Sequence, residues 1–254
     1  MSLSTFMARS PLIVLYPLWQ WLVYVPLAVL CTVIGAFIAV PLALLVSPRL
    51  ANLYVAVPWG RLLCVGAPIR VELQGTEHFD AGQAYVLVAN HQSVFDIPVI
   101  YGYSRLDLRW VMKAELRKLP FVAQGCRAIG HIFIDRADPD QAREAINEAV
   151  SRLNEGTGIL FFPEGTRSRD GRLLIFKKGA FRVAIDRQMP VLPVSVSGTR
   201  EVMPPGSLRL RPGRVVLRFH PPISTEGMGS GDLRALSDRV RADIASGLDA
   251  ARAA

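Results

Sequence analysis

The stretch Val86-Leu-Val-Ala-Asn-His-Gln-Ser-Val-Phe-Asp-Ile-Pro98 joins an apolar run, a polar loop and a second apolar segment. The run up to Ala89 is typical of a strand that is buried on both faces of a sheet. His91 follows on the loop, and Asp96 comes five residues later, just before a segment that we expect to be helical. Because α/β sheets place reactive groups at the carboxyl ends of their strands, this stretch predicts both a fold class and a candidate site.

Short apolar runs of the same kind recur after residue 66, separated by helical stretches. We predict seven strands, over 69–74, 85–89, 109–113, 131–134, 158–162, 191–196 and 214–219. The segment 139–154 is predicted to be a helix capped by Asp138, and apolar residues every three or four positions from Leu233 to Leu248 predict a C-terminal amphipathic helix. The expected fold is therefore α/β, with a mostly buried mixed sheet of about seven strands between layers of helices.

The amino-terminal part of the chain has a different character. Residues 11–46 contain no charged side chain, and their only clearly polar side chains are those of Gln20 and Thr32. A bilayer span needs about 20 apolar residues, whereas the apolar region of a secretory signal has only about 7–15. We therefore predict a retained membrane anchor, with Trp19, Trp21 and Tyr24 as candidate interfacial aromatic residues.

A second N-terminal helix is predicted after Ser47-Pro48, because Ser is a favourable N-cap and Pro fits the first helical position. Apolar residues follow at helical spacing, namely Leu50, Leu53, Tyr54 and Val57. The residues available for a wetter side are Arg49, Asn52 and Arg61. This pattern is typical of a helix on a membrane surface, although a core helix can share it. The pair could be a span with a surface helix, or a hairpin that enters one leaflet.

Charge and cysteine content narrow the classes of partner and compartment. Lys and Arg number 29 and Asp and Glu number 21, so the net charge is +8. This excess suits an anionic partner such as nucleic acid, an acidic bilayer surface or a phosphorylated substrate. The sequence contains no nucleic-acid-binding motif, so we expect no nucleic acid partner. Three dispersed cysteines argue against a disulfide framework or a zinc site and favour a reducing compartment.

A second apolar strand leads into a polar loop in Gly158-Ile-Leu-Phe-Phe-Pro-Glu-Gly-Thr-Arg-Ser-Arg-Asp-Gly171. Four consecutive loop residues are candidate ligand-binding groups, namely Glu164, Gly165, Thr166 and Arg167. Glycine lets the backbone approach a ligand closely, and arginine can hold phosphate through paired hydrogen bonds. Lys113 ends one further predicted strand and Arg136 follows another, and both are candidate ligands for an anion, although each could equally be a solvated charge.

His91 and Asp96 have the residue types of a general base and its orienting carboxylate. A histidine held by a carboxylate can accept a proton near neutral pH, because an unperturbed imidazole has a pKa of about 6.5. Asp96 would fix the tautomer of His91 and stabilise the imidazolium that forms. The alternative is a structural histidine that caps the loop, and the spacing of this pair alone does not choose between the two.

Four blocks occur in a fixed order along the chain. They are Asn90-His91 with Asp96, Gly130 with Asp135-Arg136, Phe162-Pro-Glu-Gly-Thr-Arg167, and Leu192-Pro-Val-Ser-Val196. Together these blocks resemble those of the glycerolipid acyltransferase family. The similarity runs from about Ser47 through Phe219 and includes residues 176–181, and the first and third blocks are the specific ones.

The resemblance implies 1-acylglycerol-3-phosphate O-acyltransferase activity. In that reaction an acyl chain moves from acyl-CoA or acyl carrier protein to the free hydroxyl of lysophosphatidic acid, which gives phosphatidic acid for phospholipid synthesis. His91 would be the general base, oriented by Asp96, and the hydroxyl would attack the thioester directly. No metal and no cofactor is implied, because the thioester is a co-substrate.

Roles for the other candidate residues follow from the same resemblance. Arg167 would hold the phosphate of the acceptor, with Lys113 and Arg136 as helpers. Glu164 would organise its loop or bind polar groups of the acceptor. The expected partners are therefore a membrane lipid, the bilayer and the thioester donor, while the oligomeric state is left open.

Three alternatives remain at the level of the sequence. Ser93, two residues after His91, could act as a nucleophile that forms an acyl-enzyme intermediate. The acceptor could be another lysolipid, such as lyso-ornithine lipid or a lysophospholipid. A non-catalytic lipid-binding membrane protein is a different class, and it would not need the pair of His91 and Asp96.

These inferences give an expected organisation of the whole chain. Residues 1–66 are predicted to form the membrane-anchoring helices, and residues 67–254 to form the α/β acyltransferase domain. Cytosolic donors and the positive charges of Arg49 and Arg61 near the anchor favour a bacterial cytoplasmic (inner) membrane, with the globular domain on the cytoplasmic face.

Overall fold

The structure is a computed structural model that describes residues 12–153 and 156–253. Two long helices come first. The helix α1 comprises Leu12–Trp19, a π-helical turn over Gln20–Tyr24, and Val25–Leu45. The helix α2 comprises Pro48–Ala51, a π-helical turn over Asn52–Ala56, and Val57–Gly66. Residues 1–11 of the predicted anchor and residue 154 of the predicted helix 139–154 lie outside the described residues.

Seven strands form one sheet. They are β1 (Ile69–Gln74), β2 (Val86–Ala89), β3 (Asp107–Lys113), β4 (Ile132–Ile134), β5 (Thr157–Phe161), β6 (Val191–Ser197) and β7 (Gly213–Phe219). All seven predicted strands are confirmed, with ends no more than two residues from those expected. The remaining helices are α3 (Asp96–Tyr103), α4 (Val122–Ile129), α5 (Pro139–Ser151), α6 (Gly179–Asp186), α7 (Thr199–Val202) and α8 (Leu233–Ala253).

The sheet has the order β1-β7-β6-β2-β5-β3-β4. Neighbouring strands are parallel except β6 and β7, so the prediction of a mixed sheet is confirmed. Strands β2, β3, β4 and β5 all end at the same edge, because they form one parallel run. Lys113, at the end of β3, and the loops that carry His91, Arg136 and Glu164 therefore meet at one edge of the sheet.

Helices cover both faces of the sheet, and each face has its own apolar core. Leu87 and Ala89 belong to the core that includes residues of α1, α2 and α3. Val86 and Val88 belong to the core that includes residues of α5, α6 and α8. This alternation is the period of two that a strand imposes, and it explains why β2 is apolar throughout.

Two helix predictions are confirmed, although the first helix ends at Ser151, before the expected end at residue 154. The side chain of Asp138 accepts a hydrogen bond from the Gln141 amide at 3.0 Å, so it caps α5 as expected. The apolar positions expected on the C-terminal helix, Leu233, Leu236, Val240, Ile244 and Leu248, are all buried in α8.

The buried face of α2 differs from the apolar face that the sequence predicts. Asn52, assigned to its wetter side, is fully buried and donates from Nδ2 to Asp107 Oδ1 at 2.9 Å. Tyr54, assigned to the apolar side, is 72% exposed. Small residues explain the difference: a Cβ on Gly60 would lie 2.7 Å from Pro98 O, so α2 crosses α3 in close backbone contact. The other predicted apolar residues, Leu50, Leu53 and Val57, are half-buried, and Arg49 and Arg61 are exposed as expected.

The helix α1 is long and apolar, and it also packs against the rest of the chain. Its segment Tyr16–Leu45 has a mean hydropathy of 2.6, and among the described residues it is the one helix long and apolar enough to cross a membrane. Gln20, buried within the apolar stretch, bonds the backbone of Leu208 and Leu210. Trp21 is half exposed, whereas Tyr24 is buried, so Tyr24 packs within the protein instead of facing an interface. The division at residue 66 stays a prediction, and so does the membrane topology.

Candidate functional site

A buried asparagine fixes the end of β2, directly before the candidate base. Asn90 is fully buried, and its side chain donates to Val196 O and accepts from Val196 N, both at 2.8 Å. These two bonds tie the end of β2 to the neighbouring strand β6. The backbone of His91 therefore leaves the sheet from a rigid point.

The structure brings His91 and Asp96 into direct contact. His91 Nδ1 lies 2.7 Å from Asp96 Oδ2, and Asp96, the first residue of α3, is fully buried. Because a carboxylate accepts hydrogen bonds, we assign the proton of the neutral imidazole to Nδ1, which leaves the basic lone pair on Nε2. The imidazole of His91 is still 15% exposed, so a ligand can reach it.

Three further donors hold Asp96. Its Oδ2 also accepts from the amides of Gln92 and Ser93, at 2.7 and 2.8 Å, and its Oδ1 accepts from the hydroxyl of Thr199. A buried carboxylate needs such donors, because water does not solvate it. The network fixes the carboxylate in one orientation, and through it the imidazole of His91.

An aromatic ring holds the imidazole from the other side. The ring of Phe162 stacks on that of His91, with centroids 4.0 Å apart and planes at 15°. Phe162 in turn makes an edge contact with Trp110. The imidazole is therefore oriented by a hydrogen bond in its plane and by a stacked ring across its face.

Glu164 uses both carboxylate oxygens to organise the backbone. Oε1 accepts from the His91 amide at 2.7 Å, and Oε2 accepts from the Leu174 amide at 2.9 Å. Burial raises the pKa of Glu164 above its ordinary value, against the lowering effect of these two bonds. Of the two roles expected for Glu164, the geometry matches that of a residue that organises the loop.

Gly165 and Arg136 meet at the centre of the third block. The guanidinium of Arg136 donates to Gly165 O, and Gly165 has a φ of +69°, which favours glycine. Burial lowers the pKa of Arg136 from its ordinary value, although arginine stays charged in proteins. The nearby Glu115 favours the charged form of Arg136.

The remaining predicted ligands lie at the outer part of the site. Lys113 is half exposed, and its Nζ lies 3.3 Å from Glu115 Oε1. Thr166 is exposed and Arg167 is half buried. Their roles as ligands of the acceptor stay predictions.

The hydroxyl of Ser93 is bound to the backbone. It donates to Met203 O at 2.8 Å and accepts from the Phe95 amide at 3.1 Å, and the residue is fully buried. A nucleophilic serine needs its hydroxyl directed at a base and accessible to substrate. This geometry disfavours the acyl-enzyme alternative.

Sequence reasoning missed Thr199 and assigned no role to Asn90 or Phe162. Thr199 lies 103 residues after Asp96, and only the fold brings the two together. Asn90 directly precedes His91 and Phe162 comes two residues before Glu164, both within quoted blocks, and that proximity in sequence is the available signal.

Comparison with known proteins identifies the family. A family model described as Acyltransferase matches residues 70–197, which include His91, Asp96 and Arg167. The chain belongs to this acyltransferase family. A 1-acyl-sn-glycerol-3-phosphate acyltransferase alpha from Ovis aries is 37% identical over 182 residues, which cover 68% of this chain and 61% of the relative. The chain thus spans about three fifths of that relative.

Two further relatives share more of their length with this chain. The 1-acyl-sn-glycerol-3-phosphate acyltransferase alpha of Mus musculus is 34% identical over 212 residues, covering 81% of this chain and 73% of the relative. A crystal structure described as the 1-acyl-sn-glycerophosphate (LPA) acyltransferase, PlsC, from Thermotoga maritima has a TM-score of 0.71 and 31% identity. That match covers 91% of this chain and 99% of the other, so the α/β fold is shared almost throughout.

Proposed function

We propose that this acyltransferase moves a fatty acyl chain from acyl-CoA or acyl carrier protein to the free hydroxyl of lysophosphatidic acid, which gives phosphatidic acid. The observation that carries the proposal is the contact of His91 Nδ1 with the fully buried carboxylate of Asp96. A merely structural histidine would not need an anion held by three further donors. The names of the relatives support the choice of acceptor.

The proposed chemistry is a direct transfer with a single base. His91 Nε2 takes the proton of the acceptor hydroxyl while the oxygen attacks the thioester carbonyl. The tetrahedral intermediate then collapses, the carbon–sulfur bond breaks, and the thiolate takes the proton back from the imidazolium. Holding the hydroxyl and the thioester together contributes about 7–11 kcal/mol at best. Asp96 stabilises the imidazolium during the step.

Cations near the base would bind the acceptor's phosphate. Arg167 follows Glu164 and Gly165 in the same loop, and Lys113 ends the neighbouring strand β3. We assign the phosphate to Arg167, with Lys113 and Arg136 as helpers, because guanidinium groups hold phosphate through paired hydrogen bonds. The proposal includes no metal and no cofactor beyond the thioester.

The N-terminal helices would bring the site to its lipid. Large apolar side chains are exposed along α1, among them Leu22 and Phe37, and Leu62 is exposed on α2. A contiguous exposed apolar surface is typical of a membrane-binding region. We place the enzyme at the bacterial cytoplasmic (inner) membrane, with the globular domain on the cytoplasmic face, where the net positive charge suits acidic lipid.

The test is acyl transfer by the purified, detergent-solubilised protein. Palmitoyl-CoA and a palmitoyl-acyl carrier protein are offered with lysophosphatidic acid, with other lysophospholipids and with lyso-ornithine lipid. Rapid formation of phosphatidic acid supports the proposal. Transfer only to a lysolipid without a terminal phosphate refutes the acceptor, and no transfer to any acceptor by folded protein refutes catalysis.

A further inference from the structure

A cavity lies on the face of the sheet opposite α1 and α2. Its volume is about 330 Å³, within the range of small-molecule sites. Apolar residues that belong to the core beneath α5, α6 and α8 form its floor, namely Val111, Ile146, Phe161, Ala180 and Val183. The helices proposed to bind the membrane pack against the other core. The cavity is therefore on the side of the sheet away from those helices.

Basic side chains surround this apolar floor. Five of them line the cavity, namely Arg136, Arg143, Lys177, Lys178 and Arg182. Among the described residues that line it, the opposing carboxylate is that of Asp135. Arg143 also has Asp140 within 3.9 Å, but Asp140 is 93% exposed, so this pair is weak. An apolar floor with a strongly cationic rim fits a long ligand that carries phosphate.

The cavity shares a wall with the catalytic loop. Phe162, Pro163 and Gly165 line it, and Phe162 is the residue whose ring stacks on His91. The Lys177 amide donates to Pro163 O at 2.8 Å, which fixes the loop against the start of α6. The residue that stacks on the imidazole therefore also forms part of the cavity wall.

We propose that this cavity binds the phosphopantetheine arm of the acyl donor, with its phosphate on Lys178 and Arg182 of the rim, whereas Arg136 serves the acceptor. The assignment rests on the proposed function, since it names the donor site of the same reaction. A lipid acceptor arrives from the side of α1 and α2, whereas a water-soluble donor needs a route from the opposite side. Coenzyme A and acyl carrier protein share this arm and its phosphate, so the cavity fits both sources.

The test measures binding of the arm without turnover. Coenzyme A, holo-acyl carrier protein and apo-acyl carrier protein are titrated by calorimetry into the intact, detergent-solubilised protein. The test variant K178E/R182E changes two exposed residues that line the cavity. The control R234E/R239E changes two exposed arginines of α8 that do not line it, and it alters the net charge by the same amount.

We expect wild type and R234E/R239E to bind alike, and K178E/R182E to bind at least about tenfold more weakly, because it loses charge-assisted contacts to phosphate. Binding of coenzyme A identifies acyl-CoA as the donor. Binding of the holo but not the apo carrier protein identifies acyl carrier protein as the donor. Equal binding by K178E/R182E and wild type overturns the proposal, as does a wild type that binds none of the probes.

Acyl-transfer kinetics separate this inference from the proposed function. Ala142→Trp, on α5, places a large side chain in the cavity, and its thermal unfolding midpoint shows whether the protein is folded. We expect at least about a tenfold rise in KM for the donor and an unchanged KM for lysophosphatidic acid. If wild type is active and both A142W and K178E/R182E keep its KM for the donor, the cavity assignment is refuted but the proposed function is not. A wild type that transfers nothing to any lysolipid refutes the proposed function.

Discussion

Replacing Glu164 by glutamine removes one of the two backbone hydrogen bonds that join the catalytic loops. The carboxylate accepts from the amides of His91 and Leu174, whereas a glutamine has a single acceptor oxygen and turns its NH₂ towards the other donor. Glu164 is 5% exposed, so solvent does not replace the lost bond. An unsatisfied buried donor costs about 1–3 kcal/mol, which is the destabilisation we expect for Glu164→Gln.

The same change should slow acyl transfer. The hydrogen bond from the His91 amide to Glu164 fixes the backbone that positions the imidazole. A displacement of about 1 Å at a reacting group can cost about 10²-fold in rate. We expect kcat to fall between about tenfold and 10²-fold, with a smaller effect on either KM. Denaturant unfolding and steady-state kinetics on the same preparation measure both effects. Glu226→Gln, at an exposed loop position, is the matched control and should change neither.

The variant should also alter the pH dependence of stability. Burial raises the pKa of Glu164 in the folded state, so the native protein holds this proton more tightly than the unfolded chain does. The contribution of this group to the free energy of unfolding is present below its unfolded pKa and is lost as the pH rises through the folded pKa. Glu164→Gln removes that contribution. A variant as stable and as active as wild type, with the same pH profile, would refute the bridging role.

Four further changes test the rest of the account. Asp96→Asn can keep the three N–H bonds to one oxygen and donate to the Thr199 hydroxyl, but it loses the charge that stabilises the imidazolium, so kcat should fall about 10²- to 10⁴-fold. Thr199→Val should lower kcat about tenfold at an unchanged KM, and Thr199→Ser should restore it. Gly102→Ala places a Cβ 2.8 Å from Arg61 N and should destabilise the protein by about 1–3 kcal/mol in denaturant unfolding. Burial lowers the pKa of His131 to about 3, so unfolding at falling pH should show stability lost below about pH 6.5, and His131→Gln should reduce that loss.

Each of these changes has a contrary outcome. Full activity in Asp96→Asn would remove Asp96 from the mechanism, and a rise in KM alone for Thr199→Val would make Thr199 a substrate contact. A neutral Gly102→Ala would mean that α2 and α3 do not cross as closely as described. An unchanged acid slope in His131→Gln would show that this histidine titrates alike in the folded and unfolded states.

The sheet could be predicted from the sequence because parallel strands buried on both faces are short, apolar and separated by turns. The positions of His91 and Glu164 followed from the same rule, since both come directly after such strands. The residues that bond to them from distant parts of the chain could not be predicted in this way. Thr199 follows β6 and bonds Asp96 because β6 lies beside β2 in the sheet. Local sequence patterns do not predict this strand order.

The orientation of α2 shows where helical periodicity fails. The large apolar residues predicted one face, but the small residues Ala51, Ala56 and Gly60 form the buried one, because they allow close backbone contact. Asn52 is predicted on the wetter side of this helix together with Arg49 and Arg61. Its partner is Asp107, the first residue of β3 and 55 positions away, which also accepts from the buried Arg109. Pairs of this kind are set by tertiary packing.

The measurement that tests the central claim most directly is phosphatidic acid formation by His91→Gln at saturating palmitoyl-CoA and lysophosphatidic acid, beside wild type and His78→Gln. His78 is partly exposed and bonds the backbone of Phe219 on β7, which β6 separates from β2, so it is the matched control. We expect an active wild type, an unchanged rate for His78→Gln and a loss of at least about 10²-fold for His91→Gln. A folded His91→Gln with the rate of wild type would contradict this expectation.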